Sequence, residues 1–120
     1  MLTPRETMEL IVQALDCKKA RDITVLKTDA ITVLADYFII CTATSTTQIK
    51  TLTDETSKLL SENDEPPLRT EGYRSGGWVL IDFGCAVVHL FLNEMRTFYD
   101  LERLWNDAKT VDISELVSEK

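Results

Sequence analysis

The chain has 120 residues, a length typical of one domain that buries its core without metal or disulfide support. Apolar residues make up 44% of it and charged residues 28%, and no apolar run approaches the roughly 20 residues that a membrane helix needs. The net charge of −7 argues against direct contact with a nucleic-acid backbone, although an acidic chain can still bind basic proteins.

The first residues and the cysteines set expectations for location and cofactors. No basic segment followed by an apolar stretch opens the chain, so the sequence predicts no signal peptide and a cytoplasmic location. Cys17, Cys41, Cys85 and the single histidine, His89, are widely spaced and form no C-x-x-C pair. We therefore expect buried, inert cysteines, no disulfide framework, no metal and no cofactor.

The first third of the chain predicts one helix and two strands. Thr3 and Glu6 form a capping box, and apolar residues then recur at helical spacing, which predicts a helix from about Pro4 to Lys19. The β-branched segment from Ile23 to Thr28 predicts a strand. The run from Tyr37 to Cys41 is almost continuously apolar, as expected of a strand buried on both faces.

A second helix should follow this buried strand. Ser45 and Gln48 have the spacing of another capping box, and apolar residues at helical spacing continue to about Glu62. Pro66 and Pro67 then forbid continuation of the helix.

The next segments predict an edge strand and a hairpin. Part of the polar stretch from Leu68 to Tyr73 could pair at a sheet edge. Residues 78–83 alternate between apolar and mixed positions, and an apolar run resumes at Ala86. Only Gly84 and Cys85 separate the two runs, which indicates a tight antiparallel hairpin.

The chain ends with a predicted helix and a tail. Residues from Glu94 to Ala108 are helical by composition, whereas those beyond Thr110 have little periodicity. We expect one domain over residues 1–110 and a frayed tail over residues 111–120. The order of elements predicts an α/β (α+β) fold, with a mixed sheet of about five strands flanked by helices, one parallel pair at the middle crossover and one antiparallel hairpin.

Several residues invite a catalytic interpretation, and each also has a structural one. His89 could be a general base with Asp82 or Glu94 nearby, but no convincing nucleophile accompanies it, and a hydrogen-bonded structural histidine is favoured. Asp36 and Asp82 could hold Mg²⁺, yet the chain has no D-x-D pair, and Asp36 is more easily a turn or cap residue. The helix start at Ser45 could hold an anion, although simple capping is favoured.

The hairpin also offers a candidate docking surface. Trp78, Leu80 and Asp82 share one face by period-two counting, while the residues between them are uniformly apolar and belong in the core. An aromatic, an aliphatic and an acidic residue together are typical of a protein interface, but a covering helix would fit equally well. Arg96 and Tyr99 lie off the apolar stripe of the last predicted helix and could extend such a surface.

Taken together, five blocks resemble the ribosomal silencing factor family, also called the Iojap family. The resemblance covers roughly residues 4–108, and the blocks that carry it are Ala35–Ala43, Ser45 with Gln48-Ile49, Glu71-Gly72, Gly77–Gly84 with Val87–Phe91, and Glu94–Ala108. The resemblance implies a nucleotidyltransferase-like fold without the catalytic acids, in agreement with the missing D-x-D pair, and therefore a factor that is not an enzyme.

The resemblance further implies a translational repressor. Family members bind a protein of the large ribosomal subunit at the face that meets the small subunit, block subunit joining and lower translation when nutrients are scarce. Little direct nucleic-acid contact, no membrane contact and an occasional homodimer are expected. The contact surface implied for this chain comprises Trp78, Leu80, Asp82, Arg96, Tyr99 and Leu101.

One departure from the family pattern lies at the hairpin turn, where Cys85 stands in place of a common aspartate. If that acid contacts the partner, binding by this chain should be weaker or distributed differently. Two other functions stay open from the residues alone, a nucleotidyltransferase-like enzyme and a generic dimerising adaptor.

Overall fold

A computed structural model describes residues 3–28, 35–74, 77–93 and 109–113. Within them the elements follow one another as α1 (Pro4–Cys17), β1 (Arg21–Lys27), β2 (Tyr37–Ala43), α2 (Thr46–Glu62), β3 (Arg69–Glu71), β4 (Trp78–Asp82), β5 (Ala86–Leu92) and β6 (Lys109–Thr110). Neither of the two helices in these ranges is long and apolar enough to span a membrane.

The predicted capping box at the start of α1 is confirmed. The Thr3 hydroxyl accepts a hydrogen bond from the Glu6 backbone N–H at 3.1 Å, and the Glu6 carboxylate accepts one from the Thr3 N–H at 2.9 Å. These two bonds satisfy N–H groups that the first helical turn leaves unpaired. The helix ends at Cys17, two residues before the predicted Lys19, whose φ of +67° is left-handed.

The predicted capping box at α2 is only half correct. The Ser45 hydroxyl accepts from the Gln48 N–H at 3.0 Å, as predicted. The Gln48 carbonyl oxygen, however, accepts from the Thr44 N–H at 2.6 Å, and its amide nitrogen donates to the backbone oxygens of Lys18 and Lys19 at 3.3 and 3.0 Å. A glutamine amide carries donors as well as an acceptor, so this side chain ties the start of α2 to the end of α1.

The strands form a mixed sheet in the order β3-β4-β5-β2-β1-β6. β2 and β5 pair in parallel over seven residues, and the other neighbours are antiparallel, so both predicted pairings are confirmed. Every residue of β2 is buried, as its apolar run predicts for a central strand. The hairpin turn begins one residue earlier than predicted, because β4 ends at Asp82 and not at Phe83.

The sheet also includes residues from the predicted tail region. β6 pairs with β1, and the Val111 N–H donates to the Val25 carbonyl at 2.8 Å. Val111 and Ile113 pack against the main core, so the first three residues of the expected tail do not fray. β6 and Val111 contact β1, which lies far away in the chain, and local periodicity cannot reveal such a contact. Residues 114–120 lie outside the described residues.

The two faces of the sheet pack differently. α1 and α2 cover one face, where Met8, Ile11, Val12 and Leu15 of α1 are fully buried against the strands. A smaller cluster occupies the opposite face and comprises Leu26, Ala35, Phe38, Ile40 and Phe91, with Trp78 and Val87 packed against it. The helices thus leave the face that carries Trp78 to other parts of the chain or to a partner.

The cysteines differ in burial. Cys41 is buried, Cys85 half-buried and Cys17 exposed, so the prediction of buried thiols is confirmed for Cys41, only partly correct for Cys85 and wrong for Cys17. Cys17 lies off the buried stripe of α1, at the point where the helix ends.

Candidate docking surface

β4 separates core residues from outward-facing ones as its alternation predicts. Val79 and Ile81 are fully buried beneath the helices. Trp78, Leu80 and Asp82 are half-buried on the opposite face. The structure therefore brings together the three β4 residues that the sequence selected for docking.

The edge strand β3 adds two charged residues to this face. Arg69 pairs with Asp82 and Glu71 with Leu80, so all four side chains lie on the same side of the sheet. Arg69 contacts the Glu71 carboxylate at 2.6 Å and the Asp82 carboxylate at 3.4 Å. We call the surface formed by Arg69, Glu71, Trp78, Leu80 and Asp82 the tryptophan face.

Sequence reasoning missed Arg69 and Glu71. It proposed pairing somewhere within residues 68–73 but set no register against β4. The alternation of Arg69 and Glu71 around Thr70, just after the two prolines, was the available signal.

Trp78 is anchored from below by two rings. Its indole stacks on Phe91, with ring centroids 5.1 Å apart and an interplanar angle of 27°. Its Nε1–H donates to Nδ1 of His89 at 3.2 Å. Trp78 therefore bonds its polar group within the protein, while the residue as a whole is half-buried.

His89 is buried and hydrogen-bonded, as the sequence favoured. It is 5% exposed and lies near the Phe38 and Phe91 rings, with centroid distances of 5.3 and 6.3 Å. Burial lowers the pKa of His89 to about 4, so the imidazole is neutral at pH 7.

Asp82 serves the hairpin turn rather than His89. One of its carboxylate oxygens accepts from the Gly84 N–H at 2.8 Å, and the other faces Arg69. Gly84 has φ +89°, a backbone conformation that suits glycine at a tight turn. The Asp82 carboxylate therefore holds its own turn and faces Arg69, and the side chain that bonds to the His89 imidazole is Trp78.

The segment before β4 is fixed by close packing and a side-chain bond. Gly72 has φ +84°, and a Cβ there would lie 2.1 Å from the Trp78 carbonyl oxygen. The Tyr73 hydroxyl donates to the Asp54 carboxylate of α2 at 3.1 Å, and the Lys50 ammonium lies 5.7 Å from the Tyr73 ring centroid. These contacts fix where β4 begins, and hence where Trp78 lies.

The residues that the sequence offered for metal or anion binding take part in turn and capping hydrogen bonds. Asp36 donates its N–H to the Cys85 carbonyl at 2.8 Å, and its own carbonyl accepts from Thr28, so it joins the strand ends as a turn residue. Ser45 caps α2. Among the residues that the structure describes, no three histidine, cysteine or acidic side chains group as metal ligands.

Cys85 occupies the joint between the hairpin and β2. Its carbonyl accepts from the N–H groups of Asp36 and Tyr37, and burial raises the pKa of its thiol. The backbone at this position therefore shapes the turn whatever the side chain, and the thiol is protonated at neutral pH.

The remaining docking residues from the sequence, Arg96, Tyr99 and Leu101, lie outside the described residues, as does the helix predicted over residues 94–108. Their place in a docking surface stays a prediction.

Comparison with known proteins decides the family. The family model described as ribosomal silencing factor during starvation matches residues 2–120. The chain belongs to the ribosomal silencing factor family. A curated member from Halalkalibacterium halodurans, named ribosomal silencing factor RsfS, is 38% identical over 98% of this chain and all of its own length. The Bacillus subtilis protein of the same name is 35% identical over 93% of this chain and 95% of its own.

Solved structures and organellar relatives extend the family likeness. A Chromobacterium violaceum crystal structure, protein CV0518, superposes with a TM-score of 0.86 at 36% identity and covers 88% of each chain. A mouse protein named mitochondrial assembly of ribosomal large subunit protein 1 is 34% identical over 82% of this chain and 44% of its own length. The predicted family and fold class are therefore confirmed. The names of these relatives concern ribosome silencing and ribosome assembly.

Proposed function

We propose that this chain is a translational repressor, not an enzyme, that binds the large ribosomal subunit through a ribosomal protein at the intersubunit face. It would block joining of the small subunit by steric exclusion and lower translation when nutrients are limiting. The observation that carries the proposal is membership of the ribosomal silencing factor family over residues 2–120. The mouse relative's name, which refers to the large ribosomal subunit, supports the choice of subunit.

The tryptophan face supports a protein partner. Half-buried Trp78 and Leu80 lie beside charged residues on a sheet that both helices support from behind. Aromatic residues anchor many protein interfaces, and charged residues commonly surround such anchors. Steric exclusion requires no chemistry, so one such surface of about 800 Å² per partner suffices.

Charge supports a ribosomal protein rather than ribosomal RNA as the partner. The net charge is −7, and the tryptophan face carries one cation, Arg69, against the carboxylates of Glu71 and Asp82. Nucleic acid attracts basic surfaces, whereas an acidic factor is drawn to a basic protein. Binding should therefore be faster at low salt, since screening weakens long-range attraction.

Two leucine-to-lysine variants test the surface. Leu80→Lys places a charge at the centre of the tryptophan face, while Leu59→Lys makes the same change at a half-buried leucine on the opposite side, in the groove between α1 and α2. We expect Leu80→Lys to lose co-sedimentation with purified large subunits and to permit subunit joining. Leu59→Lys should bind and inhibit like the unchanged chain.

The controls distinguish failure of the proposed docking surface from failure of the proposed function. Circular dichroism and thermal unfolding establish that both variants remain folded. Equal binding by the two variants would reject the tryptophan face as the docking surface. Normal joining of subunits at saturating unchanged chain would reject the repressor proposal itself.

Self-association through the same face is a second use that the proposal accommodates. Light scattering of the unchanged chain and of Leu80→Lys, with and without large subunits, distinguishes the two. A dimer that Leu80→Lys disrupts and that large subunits dissociate would place both partners on the tryptophan face.

A further inference from the structure

The hydrogen bond between Trp78 and His89 links the surface of the tryptophan face to the interior. The donor is the indole Nε1–H and the acceptor is His89 Nδ1, 3.2 Å away. An accepting Nδ1 carries no proton, so the neutral imidazole must hold its proton on Nε2. That Nε2–H is buried and has no hydrogen-bond partner that the structure describes.

Stability alone is a poor explanation for a histidine at this position. Burying an N–H without a partner is unfavourable, and an apolar side chain of similar size would avoid that cost. The neighbours of His89 include the rings of Phe38 and Phe91, which would suit such a side chain. What an apolar side chain could not supply is an acceptor for the Trp78 indole.

Trp78 needs such an acceptor because stacking does not fix its orientation. Offset rings at 5.1 Å can slide and turn over one another with little change in energy, whereas an N–H···N bond is directional. His89 can act as a firm reference point, since it is 5% exposed and lies on the central strand β5. A side chain fixed before binding loses less entropy when the partner arrives.

We propose that His89 is a positioning residue that fixes the indole of Trp78 for docking of a protein partner on the tryptophan face. This inference rests on the proposed function for its partner, but the bond itself exists in the free chain. Its two parts can therefore be tested separately.

The free chain provides the first test. Nitrogen-15 NMR at pH 7 should give His89 imidazole shifts of the Nε2–H tautomer and a Trp78 indole N–H that exchanges slowly with solvent. Trp78→Phe identifies the indole signal, because the chain has a second tryptophan. The Nδ1–H tautomer, or a Trp78 indole N–H that exchanges as fast as an exposed one, would overturn the positioning role without reference to the ribosome.

Two variants at position 89 provide the second test, because each keeps only one of two properties of histidine, the hydrogen-bond acceptor or the aromatic ring. His89→Asn keeps an acceptor near the position of Nδ1 but lacks the ring, and His89→Phe keeps a ring but lacks the acceptor. Positioning predicts that His89→Phe binds large subunits about five- to tenfold more weakly, the scale of one hydrogen bond, and that His89→Asn binds more tightly than His89→Phe. The opposite order would mean that His89 acts only by ring packing and would reject the inference.

A Trp78→Phe background completes the design. Phenylalanine has no N–H to position, so the His89→Phe effect on binding should vanish there. An undiminished effect would contradict action through Trp78. Thermal unfolding of each variant verifies folding, and if a variant is unfolded the NMR measurement on the unchanged chain decides. If the unchanged chain does not bind large subunits, the proposed function fails while the NMR result still decides whether His89 holds Trp78.

Discussion

The neutral, buried imidazole of His89 should make the free energy of unfolding of this chain depend on pH between about 4 and 6.5. Burial lowers its pKa from 6.5 to about 4. The folded state therefore binds a proton on His89 less readily than the unfolded state does. Above pH 6.5 both states are neutral at His89 and its contribution is constant, but as the pH falls towards 4 the unfolded state takes up the proton first and becomes favoured.

The expected loss of stability follows from these two pKa values. Between pKa values of 6.5 and about 4, each pH unit contributes about 1.4 kcal/mol. From pH 7 to pH 5 the effective range is about 1.5 units, which gives a loss of roughly 2 kcal/mol. His89 is the only histidine of the chain, so a variant without this imidazole isolates its contribution.

Urea unfolding at pH 7, 6 and 5 measures the effect. The midpoint should fall by roughly 1 M between pH 7 and pH 5, given an m-value of about 1–3 kcal/mol per molar for a small domain. His89→Phe is the matched control, because it has no group that titrates there, and its midpoint should stay nearly constant. A flat profile in the unchanged chain, or the same fall in both chains, would refute the assignment to a buried neutral His89.

Three further substitutions test the local structure by thermal unfolding. Gly72→Ala should lower the free energy of unfolding by about 3 kcal/mol or more, because the new Cβ would clash with the Trp78 carbonyl oxygen and because φ is positive at this position. A stable alanine variant would mean that the loop lies elsewhere. Gln48→Leu should lower the free energy of unfolding by about 1–2 kcal/mol, because the hydrogen bonds from Gln48 to the end of α1 are lost. An effect no larger than that of an ordinary surface substitution would contradict a stabilising role for these bonds. Thr3→Ala should cost about 1 kcal/mol, or roughly 4 °C in Tm, and no change would show that the cap contributes nothing.

The parts of the fold that the sequence predicted well depend on interactions between residues close in the chain. The Thr3 cap, the first helix and the hairpin between β4 and β5 all arise from spacings of two to four residues. Burial of β2 on both faces follows from its own apolar run. Such patterns depend on residues close in the chain, so they can be recognised directly in the sequence.

The parts that could not be predicted depend on contacts between distant segments. The Gln48 amide oxygen accepts from the Thr44 N–H and not from the Ser45 N–H that a capping box would use, and the amide nitrogen donates to carbonyls about 30 residues away. β6 has only two residues, and its pairing with β1 joins positions more than 80 residues apart. Nothing in a short window of sequence distinguishes these pairings from others.

The candidate site shows the same division. Alternation along β4 was enough to place Trp78, Leu80 and Asp82 on one face. It could not reveal that Arg69 lies beside Asp82, because that depends on the register of β3 against β4.

The choice between a core tryptophan and a docking tryptophan, which the sequence left open, is not a choice between exclusive alternatives. Trp78 stacks on Phe91 and donates to His89, yet it is only half-buried. Trp78→Ala would therefore remove part of the proposed docking surface and also leave His89 Nδ1 without its donor, so a loss of the proposed ribosome binding would follow from either change. Leu80 has no hydrogen-bonding side chain, and its replacement by lysine perturbs the surface more selectively. Leu80, and not the more prominent Trp78, is thus the residue whose substitution best separates docking from folding.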